Sequence, residues 1–204
     1  MNDTNSSPAR LQGWLLCLAC CLSPGGSPLA AESPAKGRLL EESRAIAIGF
    51  IQQLGGDVTR AYKASGPDAA LKVCTERAPE LAAELSSKHG WRISRVSLKP
   101  RNIILGTPDA WEQRVLATFE QRAFQGENPQ NIEHGDIVKE LNGRSYRYMK
   151  ALTMQEVCSA CHGNSNKIPA DVRQRLAVEY PHDKAIGYLP GQIRGAVTIK
   201  RPLF

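Results

Sequence analysis

Apolar residues recur every three or four positions through much of the first half of the chain, which is the spacing of an amphipathic helix. One such run covers residues 47–62, and a second covers residues 71–85. Between them, residues 66–68 read Gly-Pro-Asp, a helix start signal because proline suits the first helical turn. Pro79 removes a backbone hydrogen bond from the second run, and Gly90 is suited to end it. The pattern predicts two consecutive helices, the second kinked or divided.

The period then changes to alternation, as in a β-strand. Trp91 and Ile93 alternate with polar residues, and Val96 and Leu98 do so after a slip of one residue. This pattern predicts a strand that contains a β-bulge. Residues 100–106, which follow, are predicted as a loop or a short edge strand.

Turn signals divide the next part of the chain. A helix is predicted from residues 107–109, Thr-Pro-Asp, to Gly126. Residues 136–141 and 144–152 are strand-like, and they flank Asn142-Gly143. This dipeptide is the strongest short hairpin signal because both residues tolerate positive φ. The sequence therefore predicts a helix followed by an antiparallel hairpin.

The last quarter of the chain returns to helices before a final strand. Residues 153–156, Thr-Met-Gln-Glu, have the capping-box pattern, so a helix is predicted to begin there and to carry residues 158–162. Residues 169–178 are predicted as a helix, residues 180–191 as a turn-rich loop and residues 194–200 as a strand. A few antiparallel strands with helices on one face make an α+β domain, which is the predicted fold class.

The N-terminus has the pattern of a secretory signal. Arg10 precedes a short apolar run over residues 11–22, and residues 28–31, Pro-Leu-Ala-Ala, supply the small residues of a cleavage site. The 12 residues of the apolar run are too few to span a bilayer, which needs about 20. The segment therefore favours export over membrane insertion.

This signal sets the domain organisation and the compartment. We expect residues 1–31 to be a cleaved signal peptide, residues 32–38 a linker, and residues 39–204 one domain that is periplasmic or otherwise exported. An alternative is a lipid anchor at Cys20, because Leu18-Ala19-Cys20 loosely resembles a lipid-attachment box. We expect contact with a membrane only if the N-terminus is lipidated or left uncleaved.

The composition is that of a soluble globular protein with a basic surface. The chain has 204 residues, 42% of them hydrophobic, a formal net charge of +6 and a pI near 9.1. The basic residues are scattered and form no run of five or more. We therefore interpret the charge as a solvated surface that can also meet an acidic partner protein, and we expect no nucleic-acid binding.

Three cysteines remain once the signal is removed, and two of them carry the clearest chemistry in the sequence. Residues 158–162 read Cys-Ser-Ala-Cys-His, the attachment signature of a c-type haem. In this signature the thiols of Cys158 and Cys161 bond to the two vinyl groups of one porphyrin, and His162 binds the iron from one face. The third, Cys74, would otherwise be an unpaired thiol in an oxidising compartment.

Two other interpretations use the same residues. Cys158 and Cys161 can form a thioredoxin-like disulfide, although they are predicted to lie inside a helix and not at its N-terminus, where a thiolate is stabilised. Cys74, Cys158, Cys161 and His162 can also make a closed Cys₃His zinc site. Neither alternative explains why the histidine directly follows the second cysteine, so one covalent haem c is the favoured cofactor.

The second axial position of the iron has several candidates. Cys74 lies on the apolar face of its predicted helix, where a free cysteine is also a common small buried residue. The other candidates are Met149, Met154, His89, His134 and His182. For each of these a packing or surface role is the simpler interpretation, so the residues alone leave the second ligand open.

Several separated motifs are similar to those of one family of exported c-type haem proteins, which has a PAS-like domain and takes its name from a cyanobacterial protein. The motifs are ALKVCTERAPELA (70–82), GWRISRVSLKPRN (90–102), PDAWE (108–112), YRYMKAL (146–152), CSACHG (158–163), YPHDKAIGY (180–188) and IRGAV (193–197). The resemblance covers roughly residues 39–201. It implies a PAS-like antiparallel sheet flanked by helices, with a long N-terminal helix.

The resemblance also implies site residues. By matching position, His162 binds the iron on one side and the thiolate of Cys74 binds it on the other. Arg101 and Asn102 are candidates for contact with a haem propionate. The sequence departs from the family pattern at Ile103-Ile104, where a proline is expected nearby, and this concerns only a loop.

A cysteine and histidine pair has consequences for function. A thiolate ligand stabilises ferric iron and gives a low reduction potential. If Cys74 leaves on reduction, the iron opens to a diatomic gas such as CO or NO, so we expect a redox- or gas-responsive sensor module that works with a separate signalling partner. The alternative is a low-potential electron carrier with a redox partner. An enzyme is not expected, because two protein ligands leave no open position.

Overall fold

A long helical region forms about the first third of the fold. The computed structural model describes residues 28–203. Helix α1 (Pro28–Lys72) is followed by a π-helical turn (Val73–Arg77) and helix α2 (Ala78–His89). A kink inside α1 at Gly66, where φ is 79°, marks the predicted start of the second helix. Among the described residues, no helix is both long and apolar enough to cross a membrane.

The segment predicted as a linker is helical. Residues 32–38 belong to α1, and Lys36 Nζ lies 3.0 Å from Asp136 Oδ1 in the sheet. Leu39, which directly follows this segment, is buried in the core. The helix therefore extends across this segment, and Lys36 already contacts the domain. Residues 1–27, with most of the predicted signal peptide and Cys20, lie outside the described residues.

The remaining elements are four strands and four helices. Their bounds are β1 (Arg92–Val96), α3 (Ile103–Gly106), α4 (Ala110–Phe124), β2 (Glu133–Glu140), β3 (Gly143–Thr153), α5 (Ser159–His162), α6 (Ala170–Glu179) and β4 (Ile193–Leu203). These four strands form one antiparallel sheet in the order β1-β4-β3-β2. The predicted α+β class, with an antiparallel sheet flanked by helices and a long N-terminal helix, is confirmed.

Both faces of the sheet are covered, whereas the sequence predicted helices on one face. Tyr148 and Ile199 are fully buried on the side that packs against Phe50 of α1. Met149 is fully buried on the opposite side, in a cluster with Phe119 of α4. Successive residues of β3 thus reach two separate cores, because side chains alternate between the faces of a strand.

The predicted bulge in β1 is wrong, and the reason is that both faces of the sheet are covered by helices. The register of β1 against β4 runs without interruption from Arg92 to Val96. Ile93 packs on the α1 side and Val96 on the α4 side, so apolar residues fall on both parities of one regular strand. The irregularity in the sheet lies instead between β3 and β4, at Leu152 and Thr153.

Several local signals hold, with small shifts. Gly90 ends α2 in the left-handed conformation, and Asp109 with Glu112 caps α4 in a complete capping box. The predicted hairpin is present, but Glu140 pairs with Gly143, so the turn residues lie one position earlier than predicted. Residues 103–106, predicted as loop or strand, form a single helical turn after Asn102, whose side chain accepts from the Leu105 N–H at 3.0 Å.

Candidate functional site

The Cys-Ser-Ala-Cys-His segment lies on a short helical turn directly after β3. A 3₁₀ turn (Glu156–Cys158) leads into the four residues of α5. The predicted capping box at Thr153 is wrong, since Thr153 still belongs to β3 and pairs with Ile193. Backbone hydrogen bonds between Met154 and the loop before β4, at 2.8 Å each, hold the turn in place instead.

The apolar side of this turn is anchored by α6. Cys161 is buried in a small cluster with Leu71 of α1 and with Val172 and Leu176 of α6. This cluster ties α5 to the long helical region, just before the π-helical turn. The packing therefore brings Cys161 close to Leu71, which lies three residues before Cys74 in the chain.

His162 is held by a backbone carbonyl. Its Nδ1 lies 2.7 Å from the oxygen of Ala185, in the loop before β4. Arg194 Nε lies 3.3 Å from the same nitrogen, and we assign Nδ1–H as donor to Ala185 because that contact is the shorter one. Nε2 then keeps a free lone pair, which is the arrangement of a metal-binding imidazole.

The surroundings of His162 keep its ring neutral. Burial, together with the positive charges of Arg101 and Arg194, holds the pKa of His162 well below its ordinary value. A ring that binds a metal must be unprotonated at the binding nitrogen. The electrostatics of the site and the hydrogen bond to Ala185 therefore favour the same state.

Cys74 lies in the π-helical turn, which the sequence did not predict. Wide turns of this kind are rare and occur frequently at functional sites. Burial raises the pKa of the Cys74 thiol, and the guanidinium of Arg95 opposes this effect. Arg95 also donates from Nη2 to the Cys74 carbonyl oxygen at 3.3 Å. The π turn thus places a half-buried thiol beside a cation.

A cavity of about 640 Å³ lies between the long helical region, β3 and the α5 turn. Its walls include the four residues that the sequence singled out: Cys74, Cys158, Cys161 and His162. Apolar side chains such as Leu54, Val58 and Leu71 line much of the rest. The volume is within the range of small-molecule and cofactor sites, roughly 300–1,000 Å³.

A second cavity of about 410 Å³ lies next to the first, between α2, the edge strand β1 and the turn of α3. The two cavities share part of one wall. The shared residues are Cys74, Arg95, Arg101, Leu152, His162 and Arg194. Cys74 and His162 therefore face both spaces, whereas Cys158 and Cys161 line only the larger one.

Arginines dominate the shared wall. Arg101 Nε donates to Asp183 Oδ2 at 2.9 Å, and its Nη2 donates to the Cys161 carbonyl at 2.5 Å. Arg95 and Arg194 form no salt bridge with a described carboxylate, and burial lowers the pKa of both. Sequence reasoning missed these two residues. The signal that could have found Arg95 is its position two residues after the buried Ile93, since residues two apart share one face of a strand.

Asn102 and Arg101, the predicted propionate contacts, have other partners as well. Asn102 caps the α3 turn through its side-chain oxygen. Arg101 is held by Asp183 and by backbone carbonyls, yet both residues line the second cavity. The structure thus gives each of them a local structural role and leaves propionate contact a prediction.

The alternative uses of the cysteines are not matched by the geometry. Cys74, Cys158 and Cys161 are all free thiols, so no Cys158–Cys161 disulfide is present. Within residues 28–203, no group of three or more His, Cys, Asp or Glu side chains is arranged to hold a metal ion. The geometry of the described residues therefore gives no support to the predicted alternative of a Cys₃His zinc site. Burial raises the pKa of Cys161 to about 11.

Most of the other candidate axial ligands lie elsewhere. Met149 is buried on the α4 side of the sheet, His89 packs against Trp91, and His134 packs against Trp111. His182 is exposed. Met154 is the exception, because it is buried and lines the larger cavity. Cys74 and Met154 are therefore the two remaining candidates.

Comparison with known proteins identifies the family. The family model described as Tll0287-like matches residues 17–202, so the chain belongs to the Tll0287-like family. A solved structure, that of the cyanobacterial heme-protein Tll0287, superposes with a TM-score of 0.62 at 22% sequence identity. The match covers 80% of this chain and 96% of that one. At this identity the likeness concerns the fold alone. No curated protein matches the chain.

Proposed function

We propose that this chain is an exported c-type haem protein that acts as a redox- or gas-responsive sensor module. Cys158 and Cys161 would attach one haem covalently, and His162 and Cys74 would bind its iron. Membership of the Tll0287-like family and the fold shared with a cyanobacterial heme-protein support a haem protein. The Cys-Ser-Ala-Cys-His signature supports covalent attachment, and the signal-like N-terminus supports a periplasmic location.

One observation carries the proposal. His162 lines the larger cavity and uses Nδ1 for Ala185, which leaves Nε2 as its metal-binding nitrogen. The same cavity has Cys74 on its wall and both thiols of the signature close to His162 in the chain. This donor set, in a largely apolar space of cofactor size, fits a porphyrin that is bonded at one edge and held through its iron.

A bound haem supplies one-electron redox chemistry and, where a coordination position opens, binding of a diatomic gas such as CO or NO. His162 is the fixed ligand, since a hydrogen bond and a packed turn hold it. Cys74 is the exchangeable ligand, since burial raises the pKa of its thiol and a protonated thiol is a poor metal ligand. Two protein ligands argue against enzymatic turnover at the iron.

The sensor proposal is tested by CO binding. Full-length protein exported from a host that attaches c-type haem is reduced and exposed to CO, and its absorption spectrum is recorded. A sensor binds CO in the reduced state only, because reduction weakens the bond of Cys74 to the iron and CO can then displace this ligand. A reduced protein that keeps both ligands under CO, and exchanges electrons quickly and reversibly, is a low-potential electron carrier and contradicts the sensor.

A matched control separates the ligand switch from simple access. The Cys74→Ala variant has no thiolate to release, so it should bind CO faster than the wild-type protein on reduction. If wild type and Cys74→Ala bind CO at the same rate, release of Cys74 is not the gating step.

A further inference from the structure

We propose that Arg95 and Arg194 form a carboxylate-binding site on the wall shared by the two cavities. Both side chains line both spaces, and neither makes a salt bridge within residues 28–203. A guanidinium presents a planar set of N–H donors that matches a carboxylate. The site would take one carboxylate group, from a source considered below.

Strand geometry aims Arg95 inwards. Arg95 pairs with Val197, and Ile93 pairs with Ile199, so Arg95 lies on the same face as residues of the α1-side core. The only hydrogen bond described for its side chain runs from Nη2 to the Cys74 carbonyl at 3.3 Å. A cation held at a cavity wall with one long neutral contact has donors left for an anion.

Arg194 is better fixed but also lacks an anionic partner among the described residues. Its Nη1 donates to Ser97 Oγ at 2.8 Å and to the Lys99 carbonyl at 3.2 Å, and its guanidinium lies over the ring of Tyr188, 5.3 Å from the centroid. These contacts orient the group without neutralising it. An oriented guanidinium loses little conformational freedom when an anion binds.

The local charge balance supports the same conclusion. Arg95, Arg101 and Arg194 share one wall, and Asp183 is the carboxylate that pairs with Arg101, through the contact of 2.9 Å. Neither of the other two cations forms a salt bridge in the part of the chain that the structure describes, and the charge of Asp183, already paired with Arg101, also acts on Arg194. Charges withdrawn from water are costly unless they are paired, so this wall is suited to receive negative charge.

The carboxylate has two chemically equivalent sources. One is a propionate of the porphyrin, and this source rests on the proposed function. The other is a small free carboxylate that enters the second cavity, and this source does not. Both would bind through the same guanidinium groups, so the test distinguishes them by adding free ligand and by observing the porphyrin itself.

The experiment uses the full-length, pigmented protein. Acetate and succinate are titrated into it by calorimetry, and the propionate bending vibrations are recorded by resonance Raman spectroscopy. Both measurements are repeated on Arg95→Gln and Arg194→Gln, with Arg95→Lys retaining the charge in case the neutral variant folds poorly. The control is Arg114→Gln, the same substitution at an exposed arginine of α4 that lines neither cavity.

Each outcome decides the proposal. If the source is free, acetate or succinate binds the wild type, and binding weakens about tenfold or more in Arg95→Gln and Arg194→Gln but not in Arg114→Gln. If the source is a propionate, neither acid binds and the propionate vibrations shift in the same two variants. The proposal is overturned if neither acid binds the wild type and the vibrations are unchanged in all variants. Pigment that is not covalently bound refutes only the proposed attachment, since the calorimetry still tests the arginines.

Discussion

His162 Nδ1 lies 2.7 Å from the carbonyl oxygen of Ala185, a residue 23 positions later in the chain. The position of that carbonyl is itself fixed, because Ala185 donates its N–H to Asp183 Oδ1 at 2.7 Å. Asp183 also accepts from Arg101. The orientation of the imidazole therefore depends on a carboxylate that does not touch it.

Replacing Asp183 should cost more stability than replacing an exposed aspartate. Asp183 and Arg101 have side chains only 12% and 9% exposed, so Asp183→Asn leaves a buried cation without its partner. We expect a loss of about 3 kcal/mol in the free energy of unfolding, measured by denaturant titration.

Asp136→Asn is the matched control for this prediction. Asp136 and Lys36 form a salt bridge in which the side chains are 51% and 47% exposed, so its loss should cost less than about 1 kcal/mol. Equal losses in Asp183→Asn and Asp136→Asn would show that the Asp183–Arg101 pair has no special role.

Two substitutions decide whether Cys74 or Met154 is the second ligand of the iron. Cys74→Ala should abolish the low-spin thiolate spectrum of the ferric protein, because no other thiol of the cavity is free once Cys158 and Cys161 are bonded to the porphyrin. Met154→Leu, which keeps the volume of a buried side chain at the same cavity, should leave that spectrum unchanged. The reverse result would make Met154 the axial ligand.

Glu133 should make part of the stability depend on pH. Burial acts to raise its pKa, but hydrogen bonds from Arg44, at 2.9 Å, and from the Tyr148 hydroxyl, at 2.7 Å, outweigh burial and lower it. A carboxyl whose pKa falls on folding stabilises the protein fully above its unfolded pKa, about 4.3. That contribution is lost as the pH falls through the folded value.

The Glu133→Gln variant shows this contribution directly. The difference in unfolding free energy between wild type and Glu133→Gln should be largest near neutral pH and should shrink below about pH 4. Glu120→Gln, at an exposed position, should show no such change. A difference that grows in acid would contradict the assigned hydrogen bonds.

Local interactions are the part of this fold that the sequence predicts well. Gly90 ends a helix because it adopts the left-handed conformation, and Asp109 caps one because Glu112 lies three residues later. The same local pattern at Thr153 is misleading. There the pairing of Thr153 with Ile193 keeps the residue in the sheet, so a long-range contact overrides the local preference.

In the candidate site, too, the local features could be predicted from the sequence and the long-range ones could not. The positions of Cys158 and His162 are evident from a motif five residues long, and the family resemblance adds Cys74. Arg95 and Arg194 were not predicted, because they meet only when β1 pairs with β4 across about a hundred residues of chain. The apolar residues near Arg95 do not alternate regularly because the sheet is buried on both faces. Without knowledge of the topology, this pattern resembles a β-bulge.

Covalent attachment of the pigment is the most direct test of the central claim, that Cys158, Cys161 and His162 bind a c-type haem. The protein is exported by a host that attaches such haems, purified, denatured and extracted with acidified acetone. We predict that the colour stays with the precipitated protein, and that a Cys158→Ala, Cys161→Ala double variant loses it. Wild-type pigment that passes completely into the acetone would contradict the account.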